Sequence, residues 1–253
     1  MIKGFERAWT MQVGSTLACA MASELRVHVV SFKCDESLKA SDALAIGLPW
    51  PETIERSVSR RRAEFFFGRL AARHALESES PSLADGSVLI GSHHEPLWPA
   101  TIIGSITHVA GLAGAAVAST CTWRFLGVDI ERPVRGESQQ ALRALALNET
   151  ELNLLHTVSP VQGKVDMDAR VTQVFSAKES LYKAAFPTVR RFFDFSAAQL
   201  CEYQVGVSKL GPEARLTLEM CEDVGGAFVA GSRWSVEVWP VLGTDASLSV
   251  LAG

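Results

Sequence analysis

What most restricts the fold of this 253-residue chain is a change of hydrophobic period between two short signatures. Trp123-Arg124-Phe125-Leu126-Gly127-Val128-Asp129-Ile130 is bulky and apolar, and its side chains alternate at a period of two, which predicts a strand over 123–130. Asp129 and Glu131 at its end then share one face. Further along, Phe175-Ser176-Ala177-Lys178-Glu179-Ser180-Leu181-Tyr182-Lys183 has good helix formers and no interior Gly or Pro. Apolar residues at Val171, Val174, Phe175, Leu181, Tyr182 and Ala185 predict a helix there. Glu179 and Lys183 stand one turn apart on it and point the same way.

Spacing alone leaves two readings open. Asp129, Glu131 and Glu179 form an all-oxygen donor set of the kind Mg²⁺ takes while keeping positions for water and phosphate, and such a set disfavours zinc. Lys183 would add a fixed positive charge beside a phosphate. On the other reading, Asp129 and Glu131 end a strand in solvent, and Glu179 and Lys183 are an ordinary exposed helix pair.

The 47% hydrophobic and 21% charged content is that of a soluble globular protein, and a net charge of −4 gives no global attraction to nucleic acid. No apolar run reaches the length of a membrane span. Cys19, Cys34, Cys121, Cys201 and Cys221 are widely spaced and never form a Cys-x-x-Cys pair, which fits a reducing cytoplasm. Lys3 and Arg7 before a mildly apolar stretch give the start a faint look of a signal peptide. Glu6, Gln12, Ser15 and Thr16 spoil it, so residues 1–23 are expected as a flexible N-terminal extension.

The rest of the chain predicts alternating helices and antiparallel strands. A strand over 25–32 and a loop with Gly47, Pro49 and Pro51 precede an amphipathic helix over 57–76. This helix carries Phe65, Phe66, Leu70 and Leu76 against Arg60, Arg61, Arg62, Arg69 and Arg73. A short strand at 88–90, a rigid loop at 95–99 and a hairpin of 104–109 with 112–119 follow. After Pro133 come a helix over 139–147, a cap at 148–151 opening another helix, and a polar loop over 159–168. Pro187 is expected to stop the helix of the second signature, with strands at 198–205, 214–220, 227–230 and 233–241 beyond it. The fold class expected is α+β, a pseudo-dimer of two similar α/β subdomains, each an antiparallel sheet packed against helices, over 24–122 and 123–253.

The two signatures together resemble those of the phosphopantetheinyl transferases of the long, monomeric class, most closely the enterobactin-type enzymes. The resemblance continues upstream through Arg62-Ala63-Glu64-Phe65-Phe66-Phe67-Gly68-Arg69-Leu70-Ala71-Ala72, Glu95-Pro96-Leu97-Trp98-Pro99 and Gly104-Ser105-Ile106-Thr107-His108, in the family's order. It covers 60–186. It implies transfer of the 4′-phosphopantetheine arm from coenzyme A to a serine of an apo acyl, peptidyl or aryl carrier protein, releasing 3′,5′-ADP. Siderophore, nonribosomal peptide, polyketide and fatty-acid synthesis are the settings it suggests.

By that resemblance Asp129, Glu131 and Glu179 bind Mg²⁺ with the coenzyme pyrophosphate. Glu179 also activates the serine, directly or through water, and Lys183 and Lys178 contact phosphate. His108 hydrogen-bonds a phosphate while Ser105 and Thr107 shape its loop; Thr107 stands where the family more often has serine. Arg62, then Arg69, suit the 3′-phosphate, and the remaining arginines suit docking of an acidic carrier. The loop with Trp98 would cradle adenine, although His93 and His94 replace the family's glycine-containing or basic approach. A cytoplasmic monomer with no nucleic-acid partner is expected. The alternatives are a non-catalytic carrier-binding module of the same fold, or another Mg²⁺-dependent enzyme acting on a coenzyme A pyrophosphate.

Overall fold

The computed structural model of the chain describes residues 2–13, 24–83, 88–159, 166–206 and 211–253. The fold is α+β, and it divides into two units at Arg124 and Phe125.

The first unit contains strands β1 (Phe5–Val13) and β2 (Leu25–Phe32), then helices α1 (Ala40–Leu44), α2 (Glu52–Glu55) and α3 (Ser59–Glu79). The short strands β3 (Leu89–Ile90) and β4 (Pro96–Leu97) and the hairpin β5 (Ile102–Val109) and β6 (Leu112–Ser119) complete it. The main sheet has the order β1-β2-β6-β5, antiparallel throughout. Helix α3 buries Ala63, Phe66, Phe67, Leu70, Ala71 and Ala75 at helical spacing, and Phe67 stacks on Phe32 of β2 at 4.5 Å. Small residues let the helix come close: a Cβ on Gly68 would lie 3.1 Å from Ile106 Cγ2 of β5.

Two expectations are corrected here. Part of the extension expected over 1–23 is strand β1, because Met11 and Val13 alternate into the core while Thr10 and Gln12 face out, in register with β2. Residues 14–23 lie outside the described residues. Within the expected rigid loop, Pro96 and Leu97 pair with Ile90 and Leu89; a two-residue ribbon tolerates a proline that donates no ladder bond.

The second unit runs β7 (Leu126–Glu131), α4 (Glu137–Ala146), α5 (Glu149–Thr157), α6 (Met167–Val189), β8 (Ala198–Val205), β9 (Ala214–Met220), β10 (Arg233–Pro240) and β11 (Ser247–Ala252). Its antiparallel sheet has the order β7-β11-β10-β9-β8, with α6 packed over β7, β11 and β10. Val171, Val174, Ala177 and Leu181 of α6 meet Leu216, Leu218, Val236 and Val238 in one core cluster. The cap at Asn148 forms: its side chain accepts from Glu151 N at 3.0 Å, and Glu151 Oε2 accepts from Asn148 N at 2.8 Å.

Helix α6 does not stop at Pro187. It continues to Val189 and closes on Arg190 in the left-handed region, since a proline near a helix end forfeits one bond and keeps a helical φ. The strand expected at 227–230 is instead a turn with an isolated bridge between Gly225 and Phe228; Gly225, Gly226 and Gly231 all take positive φ. Strand β11 was not anticipated, yet it joins β7 to the rest of its sheet. Of the polar loop expected over 159–168, residues 160–165 lie outside the described residues, while Asp166 caps α6 and Asp168 sits in its first turn. Among the described residues no helix is long and apolar enough to cross a membrane.

Candidate functional site

In the second unit the site begins with a glycine. A Cβ on Gly127 would collide with the Ser180 carbonyl and lie 2.8 Å from Ala184 N, so α6 rests directly on the β7 backbone. Asp129 is two residues on and therefore on the same strand face, where Lys183 Nζ reaches its Oδ1 at 2.6 Å and the Val128 carbonyl at 3.2 Å. Ser176 and Ser180 bind α6 to β7 and β11 through the carbonyls of Asp129 and Ser249, at 3.4 and 3.1 Å.

Burial pushes the Glu131 carboxyl up to about 8, with repulsion from Asp129 and Glu179 adding to it and Lys183 opposing it. Burial likewise raises Glu179, which Lys183 offsets and Asp129 reinforces. The fold thus brings Asp129, Glu131, Glu179 and Lys183 into one electrostatic neighbourhood, three carboxylates sharing one ammonium. Among the described residues, no three His, Cys, Asp or Glu side chains are set as a ready metal cage.

Lys178, which the resemblance assigned to coenzyme A, is engaged elsewhere in this structure, although it also lines the cavity beside Glu179. About a hundred degrees round the helix from Glu179, it points into the interior, 4% exposed, and binds Glu151 at 2.7 Å. It also donates to the carbonyls of Ala146 and Phe195 at 2.8 and 3.2 Å, so its three donors are taken.

Beside Glu179 lies a cavity of about 210 Å³ lined by Leu181, Tyr182, Phe192, Phe193 and Phe195. The Tyr182 ring lies 5.0 Å from Phe193 and 5.8 Å from Phe192, which is 78% exposed. Sequence reading missed this wall; the aromatic pair Phe192-Phe193 just past a helix was the available signal.

In the first unit the charges are positive. Arg61 Nη1 lies 3.2 Å from His108 Nε2, and the His108 ring also faces Glu64 at 3.8 Å. Glu64 in turn accepts from Arg60 at 2.7 Å. Arg69 is only 6% exposed, with its guanidinium over the Phe65 ring; burial and the nearby Arg61 push it down to about 10. Its Nη1 has no hydrogen-bond partner among the described residues. Arg62 Nη2 donates to the Glu36 carbonyl at 3.0 Å.

Ser105, Thr107 and His108 do not form a loop: all three lie in β5, fully paired with β6. Ser105 and Thr107 are buried on the opposite face of the strand from His108. Trp98 packs against Gly104, where an added Cβ would sit 2.6 Å from the indole. Arg61 and Glu64, assigned only to docking or to no role in the sequence, are the residues that hold His108.

Residues 51–118 match the 4′-phosphopantetheinyl transferase N-terminal domain, and residues 125–227 match the 4′-phosphopantetheinyl transferase superfamily. The chain belongs to that superfamily. It is 33% identical over 159 residues to enterobactin synthase component D of Salmonella typhi, covering 63% of this chain and 62% of the relative. It is 36% identical over 155 residues to 4′-phosphopantetheinyl transferase PptT of Mycobacterium tuberculosis, covering 60% of this chain and 64% of the relative. With 4′-phosphopantetheinyl transferase Svp of Streptomyces mobaraensis it shares 34% identity over 158 residues, 61% of either chain. The chain thus spans less than two thirds of the length of these curated relatives.

Proposed function

We propose that the protein transfers the 4′-phosphopantetheine arm of coenzyme A to a serine of an apo carrier protein. The observation that carries this reading is the meeting of β7 and α6 at Asp129 and Lys183, bonded to each other, with Glu131 and Glu179 electrostatically coupled to both, inside a segment matched to the superfamily. The serine oxygen forms a bond to the pyrophosphate phosphorus that bears the arm, and the bond to the neighbouring phosphate breaks to release 3′,5′-ADP. Glu179 takes the serine proton, a role its raised proton affinity suits. Lys183 offsets negative charge on the departing phosphate. The aromatic cavity beside Glu179 offers an apolar surface to the uncharged arm.

Three oxygen donors with a deficit of positive charge fit Mg²⁺, and Asp129, Glu131 and Glu179 are the residues that would hold it. When bound, the ion would neutralise pyrophosphate charge. In the first unit Arg69, Arg62 and His108 would take the phosphates of coenzyme A, with Arg69 and Arg62 for the 3′-phosphate. A cytoplasmic setting and a carrier from siderophore or related secondary metabolism complete the reading, since two of the relatives bear the names of an enterobactin synthase component and a phosphopantetheinyl transferase.

Incubation with coenzyme A, Mg²⁺ and a panel of apo acyl, peptidyl and aryl carrier proteins tests it. The expected result is a carrier whose mass grows by the arm, with 3′,5′-ADP released in equal amount. Release of phosphopantetheine to water without a carrier would instead identify a hydrolase, and carrier binding without any mass gain would identify a docking module.

A further inference from the structure

The pair Lys178 and Glu151 has no part in that reaction, yet it is the most completely buried ion pair among the described residues, at 4% and 1% exposure. Every polar atom in it is used. Glu151 Oε1 accepts from Lys178 and from Leu200 N at 2.7 Å, and Oε2 accepts from Asn148 N at 2.8 Å. Lys178 spends its other donors on the carbonyls of Ala146 and Phe195. One ammonium and one carboxylate therefore join the C-terminus of α4, the N-terminus of α5, the turn at Phe195–Ala197 and the start of β8 to the middle of α6.

Burying such a pair is no cheap route to stability, because two well-packed apolar side chains commonly do as well. What the ion pair adds is direction. It grips α6 at the residue immediately before Glu179, and through the Phe195 carbonyl it grips the aromatic wall of the cavity that Glu179 and Tyr182 also line. A displacement of about 1 Å at a reacting group can cost on the order of 10²-fold in rate.

We propose that Lys178 and Glu151 are positioning residues: their ion pair fixes the rotation and height of α6 at Glu179 and holds the Phe192–Phe195 wall against it. This rests on the transfer reaction proposed above.

The test compares the full-length wild type, Lys178→Met and the double variant Lys178→Met/Glu151→Gln. In the double variant no charge is left unpaired, and the one glutamine oxygen keeps the cap on Asn148 while the bond from Leu200 N is lost. Each is assayed with coenzyme A, Mg²⁺ and an apo carrier that the wild type modifies, alongside thermal unfolding and amide hydrogen exchange. Lys178→Met should lower kcat about tenfold to a hundredfold, keep the KM for coenzyme A within about twofold, and lower Tm. The double variant should regain Tm but not kcat, and residues 192–198 should exchange faster than in the wild type.

Recovery of kcat together with Tm would reduce the pair to a stability role and overturn the proposal. A raised KM for coenzyme A at unchanged kcat would do so too, by showing direct phosphate contact. Should Lys178→Met fail to fold, the double variant decides alone. If the wild type modifies no carrier, the transfer reading falls; exchange in the folded double variant then still decides the tether, and unaltered protection of 192–198 would overturn it.

Discussion

In the first unit the under-compensated buried charge is positive, and in the second it is negative. Arg69 lies buried over Phe65 with one nitrogen lacking a hydrogen-bond partner among the described residues, its proton affinity lowered. Glu131 and Glu179 are held with raised proton affinity beside Asp129, with Lys183 opposing the rise in both. Other buried ions among the described residues have partners: Glu64 has Arg60, Glu151 has Lys178, Glu237 has Arg215, and Arg170 donates to the carbonyls of Leu155 and Val158. Buried charge of this kind is costly unless a partner arrives, so the contrast is what the proposed ligands would leave behind, an anion's place in the first unit and a cation's in the second.

The sharpest way to break the comparison is to neutralise the reactive carboxylate. Glu179→Gln should lower kcat for arm transfer by roughly 10² to 10⁴-fold, while coenzyme A affinity by calorimetry is partly kept, because Arg62, Arg69 and His108 of the first unit are untouched. Full activity in that variant would remove the second unit's negative charge from the chemistry. Gly127→Ala comes next. A methyl group there meets the Ser180 carbonyl, so α6 must lift from β7, at a cost of about 1–3 kcal/mol. Denaturant unfolding and the transfer rate should both decline; an unchanged midpoint and rate would show that this close approach does not set the carboxylate geometry.

The strand and helix of the second unit's site were legible because each obeys a local rule. Period two put Asp129 and Glu131 on one face, and helical spacing put Glu179 beside Lys183. The cap at Asn148 was legible for the same reason, since both its hydrogen bonds lie within four residues. Lys178 was not, because its direction is settled by Glu151, Ala146 and Phe195, which lie far off in sequence. Strand β11 is a short alternation of Ser, Leu and Val that follows β10 as its hairpin partner, but its place beside β7 depends on a strand remote in sequence. For Ser105, Thr107 and His108, period two carried the information, but their assignment to a loop concealed it: alternate residues of β5 face opposite ways. Charge deficits are the least legible of all, since burial and counter-charge both arise only on folding.

The first unit's side of the comparison is sharpened by Arg69→Met. Its loss should weaken coenzyme A binding about tenfold to a hundredfold, the range of a charged hydrogen bond. Dephospho-coenzyme A, which lacks the 3′-phosphate, should lose little. Equal losses for both ligands would place the buried cation elsewhere on the nucleotide. Because methionine removes an uncompensated charge from the interior, Tm should hold or rise.

The comparison that sets the two units directly against each other is the pH dependence of stability. Glu131 titrates at about 8 in the folded chain against an ordinary 4.5. Between those values the folded state holds a proton the unfolded chain has shed, so this group makes stability fall as pH rises from 4.5 to 8. His28 of β2 behaves oppositely. Burial, with the nearby His74 and Arg26, lowers it from 6.5 to about 4 against the pull of Glu77. The unfolded chain therefore binds the extra proton, and stability falls as pH drops from 6.5 to 4. Thermal unfolding in chelator should show the Tm of the wild type, relative to Glu131→Gln, declining with rising pH, and relative to His28→Gln increasing up to pH 6.5 and then levelling. Added Mg²⁺ should cancel the first slope and leave the second untouched, because a cation at the carboxylates offsets the negative charge that protonation otherwise removes. If Mg²⁺ flattened both slopes or neither, the assignment of the cation to the second unit would fail.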